Sequence, residues 1–152
     1  MKITENTVWR LSFLSWFVTL LGIAGSLFFS EVLDYRPCEL CWYQRIFLYP
    51  IFFIILVGII RTDFGNNYYV IPISISGFII SLYHNLVFYE IISQELTPCK
   101  DGISCTERQL DWLGFISIPL LSLVGFTTIS LISGFLIYAN KCNRIELQGE
   151  KK

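Results

Sequence analysis

Four stretches of this chain carry no Asp, Glu, Lys or Arg: Leu11 to Ser30, Ile46 to Ile60, Phe64 to Tyr89 and Trp112 to Asn140. At 1.5 Å per helical residue the first alone spans about 30 Å, the thickness of a bilayer's hydrocarbon core. The second run is the shortest. It reaches about 19 residues if the helix begins at Cys41 or Trp42, with Arg45 one turn in, near the interface or facing the bundle. A buried helix of a soluble protein would explain that run alone, but not four such runs with so few charges between them. The composition agrees: 54% of residues are hydrophobic and 15% charged, against about 25% charged in ordinary soluble domains. The expectation is an all-α integral membrane four-helix bundle, a single membrane domain over 1–152. Its helices fall at about 9–31, 41–60, 66–89 and 112–140, and its outer loops at about 32–40 and 90–111.

Orientation follows from the basic residues. With the N-terminus inside, the inner segments hold Lys2, Arg10, Arg61, Lys141, Arg144, Lys151 and Lys152, and the outer segments hold Arg36, Arg45, Lys100 and Arg108. This excess predicts both termini on the cytoplasmic side. The first helix is expected to be retained, because its uncharged run exceeds a signal core and no Ala-x-Ala-like site follows. A net charge of -1 gives no reason to expect nucleic acid as a partner. The expected surroundings are a lipid bilayer, with Trp9, Trp42, Tyr43, Tyr68, Tyr69, Trp112 and Tyr138 at the headgroup level.

Four of the five cysteines fall in the two long polar loops, as Cys38-Glu-Leu-Cys41 and as Cys99 and Cys105 with five residues between them. The orientation puts both pairs outside, where disulfides persist, and leaves Cys142 inside as a reduced thiol. A Cys-x-x-Cys at the start of a helix can cycle between dithiol and disulfide, because the helix N-terminus favours the reactive thiolate. Pro37 constrains the approach to Cys38, so the helix starts within Cys38 to Cys41. Cys38, on the looser segment, is expected to meet another protein. Gly102 makes a Cys99–Cys105 bridge geometrically plausible. Two blander readings stand beside this one: the second pair as a structural staple, or all four cysteines as zinc ligands. Thr106 is a candidate N-cap of a short interfacial helix.

Arg45, four residues after Cys41, shares its helical face, where a positive charge would stabilise a Cys41 thiolate or charge developing on an electron acceptor. Its plain alternative is a snorkelling anchor. Glu39 and Gln44 are expected to be solvated or interfacial, since thiol exchange needs no carboxylate base. His84, the only histidine, sits in the third helix, where an ionisable ring is a functional candidate by default or a packed residue bonded to a neighbouring helix. Asn85 points to a different face. Pro50, Pro72 and Pro119 are expected as kinks or early-helix residues. Gly22, Gly25, Gly114, Gly125 and Gly134 are expected at close helix contacts.

The string Cys38-Glu-Leu-Cys41-Trp-Tyr-Gln-Arg45, with a cysteine pair after the third helix, resembles the bacterial disulfide bond formation protein B family. The short second pair and Trp112-Leu-Gly-Phe-Ile-Ser-Ile-Pro-Leu resemble its Gram-positive branch, disulfide bond formation protein C. The resemblance covers about residues 8–140. It implies a bundle in a bacterial cell membrane that reoxidises an extracytoplasmic thioredoxin-like thiol oxidase and passes electrons to the quinone pool of the respiratory chain. By the same analogy Cys99 and Cys105 exchange with the partner, and Cys38 and Cys41 take their electrons. Cys41 then adjoins the quinone, a menaquinone or a ubiquinone, beside Arg45 and His84, without any metal. The non-enzyme alternative is a membrane assembly or anchoring protein whose outer bridges only brace its loops.

Overall fold

The charge-free runs form helices whose ends are set by caps and turns. The computed structural model describes residues 5–34, 38–89, 91 and 117–149. Along them run α1 (Glu5–Leu27), continued by one π-helical turn (Phe28–Val32), then α2 (Glu39–Arg61), a 3-10 turn (Phe64–Asn66), α3 (Asn67–Phe88) and α4 (Ile118–Gly149). All four long helices have the length and apolarity to cross a membrane, and no strand occurs among the described residues. The all-α membrane bundle is therefore the fold.

Each helix packs on its neighbour in the chain, and α4 returns to α1 to close the ring. Neighbours run antiparallel, as their contacts require. Arg45 near the start of α2 meets Ser26 near the end of α1, Gln44 meets His84 near the end of α3, and Asn85 meets Pro119 at the start of α4.

The helix ends differ in places from the sequence expectation. α2 starts at Glu39, with Cys38 in an extended conformation at its N-cap, so both cysteines of the motif belong to the helix end. α4 starts at Ile118, later than the expected 112, and Ser117 precedes it outside the helix. The Ser117 carbonyl accepts the Leu120 and Leu121 amides, both at 3.1 Å. Pro119 is tolerated in this first turn because its missing N–H would have had no partner inside the helix.

The burial pattern is that of a lipid-facing protein. Phe53, Ile60, Ile79 and Leu131 are exposed, while Ser12, Ser15, Thr19, Ser74, Ser81 and Ser133 are buried. Hydrocarbon accepts the apolar faces without cost, so the interior is free to hold small hydroxyl residues that let helices approach. Some of these hydroxyls bond back to their own helix, as Thr19 does to the Trp16 carbonyl at 2.7 Å. Ser130 of α4 instead donates across to Ser74 of α3 at 3.0 Å.

An apolar cluster of Ile51, Ile55, Val70, Phe126 and Ile129 fills the interior away from the cysteine end. Close packing falls on different glycines from most of those expected. A Cβ at Gly77 would strike the Phe126 ring, and one at Gly58 would strike the Asn66 side chain, whereas Gly25, Gly125 and Gly134 face open space. Gly22 does sit against Leu48.

The α2–α3 connection is the expected tight turn. Thr62 takes the left-handed conformation with φ 50, the Asp63 amide returns to the Gly58 carbonyl at 3.1 Å, and the Asp63 carboxylate accepts the Gly65 amide at 2.9 Å. Trp9, Trp42, Tyr43, Tyr68, Tyr69 and Tyr138 are all exposed, as headgroup-level rings should be. Arg36, Pro37, Cys99, Lys100, Cys105, Thr106, Arg108, Trp112 and Gly114 lie outside the described residues, and with them most of the second outer loop.

Candidate functional site: a thiol pair against a buried histidine

The capping position of α2 does two things at once. It ends the approach from the loop, and it turns the Cys38 side chain inward, where it is only 9% exposed and packs with Leu40 and Val87. Cys41, one helical turn on, is half-buried. The two Sγ atoms are 3.1 Å apart, in hydrogen-bond contact. This reverses the expectation that Cys38 is the looser, outward thiol: the N-cap geometry buries it, and Cys41 is the more accessible of the two.

α3 brings the third member. His84 is 2% exposed, with Nε2 3.7 Å from Cys38 Sγ. The Cys38, Cys41 and His84 donor atoms all lie within 4.8 Å of one another. On the far side of the ring, the Gln44 side-chain nitrogen lies 3.1 Å from His84 Nδ1. Gln44 is therefore a buried partner of the histidine rather than the solvated or interfacial residue expected. The available signal was its spacing: three residues after Cys41, it shares the inward face of the same helix.

Cys38, just before the span, is held well below the ordinary thiol value of 9.0. The largest cause is the hydrogen bond with Cys41; burial opposes it, and the hydrogen bond with His84 adds to the lowering.

Arg45 is 7% exposed and reaches across to α1. Its Nε donates to Ser26 Oγ at 2.6 Å, and its Nη2 donates to the Ser26 carbonyl at 2.7 Å and to Ser30 Oγ at 2.8 Å. These acceptors sit where α1 passes into its π-helical turn, a distortion often found at functional sites. The guanidinium also lies 5.5 Å from the Trp42 ring centre. Arg45 is thus a buried bridge between helices, not a surface anchor. Neither Ser26 nor Ser30 was singled out by sequence reasoning, although their i, i+4 spacing marks one helical face.

Asn85, as expected, turns away from the thiols. Its Nδ2 donates to the Ser81 and Pro119 carbonyls, both at 2.8 Å, and so ties α3 to α4.

Fold and site together define a multi-pass membrane protein with two thiols in contact at one end of its bundle. The chain belongs to the disulfide bond formation protein DsbB family, which it matches over residues 5–136. It is 40% identical over 139 residues to the SPbeta prophage-derived disulfide bond formation protein B of Bacillus subtilis, covering 90% of this chain and 93% of that protein. Disulfide bond formation protein C of the same organism is 41% identical over 115 residues, covering 76% of this chain and 83% of that one. A probable disulfide formation protein C 1 of Bacillus anthracis is 36% identical over 129 residues, or 85% and 92% of the two chains. No solved structure matches the chain.

Proposed function

We propose that this protein is a membrane thiol–disulfide oxidoreductase that reoxidises an extracytoplasmic thioredoxin-like thiol oxidase and passes the electrons to membrane quinone, supporting disulfide formation in exported proteins. The observation that carries the reading is the Cys38–Cys41–His84 cluster, two sulfurs 3.1 Å apart with an imidazole nitrogen 3.7 Å from one of them. In this reading the protein lies in a bacterial cell membrane with both termini cytoplasmic and both cysteine pairs outside.

The exchange steps balance without a metal. A partner thiolate attacks the Cys99–Cys105 disulfide, forming a mixed disulfide and releasing one thiolate. The partner's second thiol then displaces the remaining sulfur, so the partner leaves oxidised and Cys99 and Cys105 remain as a dithiol. Exchange with a Cys38–Cys41 disulfide returns the second pair to its bridged state and moves two electrons and two protons to the first. Quinone, when bound, supplies a two-electron, two-proton acceptor that the respiratory chain can regenerate.

The residues at this end fit such a ring. Three of the five guanidinium N–H groups of Arg45 are committed to Ser26 and Ser30, and the two on Nη1 have no partner among the described residues, leaving donors for a carbonyl oxygen. Cys41, the half-buried sulfur one turn from Arg45, is the thiol open to an acceptor, while Cys38 is shielded. His84 holds the charge of the buried thiolate.

The reading is tested by trapping thiols in membranes of cells with and without quinone synthesis. Cys38 and Cys41 are expected to be bridged when quinone is present and to accumulate as dithiol when it is absent. A pair that stays bridged in both would leave only a structural disulfide.

A further inference from the structure

A histidine beside a thiol can act in two ways, and the difference lies in which ring nitrogen carries the proton. With the lone pair toward sulfur it takes the thiol proton; with N–H toward sulfur it donates a hydrogen bond to the thiolate. In this site the choice is made behind the ring. Gln44 is buried at 7% exposure, and its side-chain nitrogen, 3.1 Å from His84 Nδ1, can only donate. An amide nitrogen in that position donates to Nδ1, which would leave the ring proton on Nε2, the nitrogen 3.7 Å from Cys38 Sγ.

We propose that Gln44 is a positioning residue that holds His84 in the tautomer with its proton on Nε2, so that the ring donates to the Cys38 sulfur and does not act as its base. The proposal rests on the thiol-redox reading of this site, and adds to it a line of three residues, Gln44, His84 and Cys38, spanning α2 and α3.

Among the described residues, the groups that face Cys38 are few. Cys41 comes from α2, and His84 and Tyr83 come from α3. Arg45 is turned to α1, and Glu39 is exposed. A change in the titration of Cys38 after substitution of Gln44 is therefore read through His84.

The test uses the fact that the chain has one histidine, so that labelling histidine with nitrogen-15 gives the spectrum of His84 alone. In purified, reduced full-length protein in detergent, Nε2 is expected to show the shift of a protonated ring nitrogen and Nδ1 that of an unprotonated one. Gln44→Glu puts an acceptor behind the ring and is expected to move the proton to Nδ1 or to protonate both nitrogens. Gln44→Met, of similar shape without a donor, is expected to give a mixture and to lower the alkylation rate of Cys38 at pH 6 by roughly tenfold. A wild-type spectrum with the proton on Nδ1 overturns the proposal, whether or not either variant folds. So does a Gln44→Met spectrum and alkylation profile identical to wild type. Neither measurement involves quinone or partner, so the tautomer assignment can fail while quinone reduction persists.

Discussion

His84 Nε2 lies 3.7 Å from Cys38 Sγ, joining two residues that stand 46 positions apart in the chain. The contact links the end of α3 to the cap of α2 and puts a ring nitrogen beside the buried sulfur of the pair. Replacing the ring with an apolar one of similar volume, His84→Phe, is expected to keep the fold while slowing oxidation of the Cys38–Cys41 dithiol by about 100-fold, the effect of losing one stabilising donor. Stopped-flow trapping of free thiols checks it. A rate within twofold of wild type would make His84 a packing residue.

Cys38 also sets a pH dependence. Its native-state value is lowered by Cys41 and His84, so between that value and the ordinary 9.0 the folded reduced protein holds a thiolate where the unfolded chain holds a thiol. The unfolded state then binds more protons, and stability of the reduced form rises with pH across that interval. The contribution is full above 9.0 and is lost as pH falls through the lowered native value. At pH 6, where an ordinary thiol is about 0.1% ionised, the alkylation rate of Cys38 in the reduced protein, slowed by burial, is expected to be already close to its plateau and to change little up to pH 8. Alkylation that rises tenfold per pH unit from 6 to 8 would contradict this.

Arg45 tests the α1–α2 seam. Its three hydrogen bonds reach one carbonyl and two hydroxyls near the π-helical turn, so Arg45→Met should destabilise the bundle by about 2–3 kcal/mol in mixed-micelle unfolding. Arg45→Lys should recover only part of this, because an ammonium cannot reproduce the planar fork. Equal stability of the lysine and arginine proteins would show that charge alone matters there.

Gly77 tests the α3–α4 seam. A methyl group at Gly77 meets the Phe126 ring, and Gly77→Ala is expected to cost about 1–3 kcal/mol by overpacking. Phe126→Leu in the same chain should restore part of that loss. Additive effects in the double variant would mean that the two residues do not share the contact.

The bundle was legible because charge is the residue property that lipid tolerates least, so its absence marks each span with little ambiguity. The first cysteine pair was legible because its spacing brings both sulfurs to one helix end. The roles within that pair were not. Whether Cys38 or Cys41 is buried depends on the cap angle at Cys38, a backbone property that Pro37 constrains without determining. Gln44 was misplaced for a related reason: a polar residue near an interface is ordinarily wet, and only the arrival of His84 from α3 gives it a buried partner. The glycine contacts failed similarly, since Gly77 is close-packed only because Phe126 on another helix points at it. What could not be read was in each case a relation between helices, which periodicity within one helix does not contain.

In the proposed mechanism electrons leave through the Cys38–Cys41 pair to quinone. Its most direct test is the anaerobic absorbance of added quinone when the purified protein in detergent receives a reduced thioredoxin-like protein, with Cys41→Ser as the comparison. Rapid quinone reduction is expected from the wild-type protein and none from the variant. Absence of reduction with both menaquinone and ubiquinone analogues, in folded protein with its cysteine pairs intact, would contradict it.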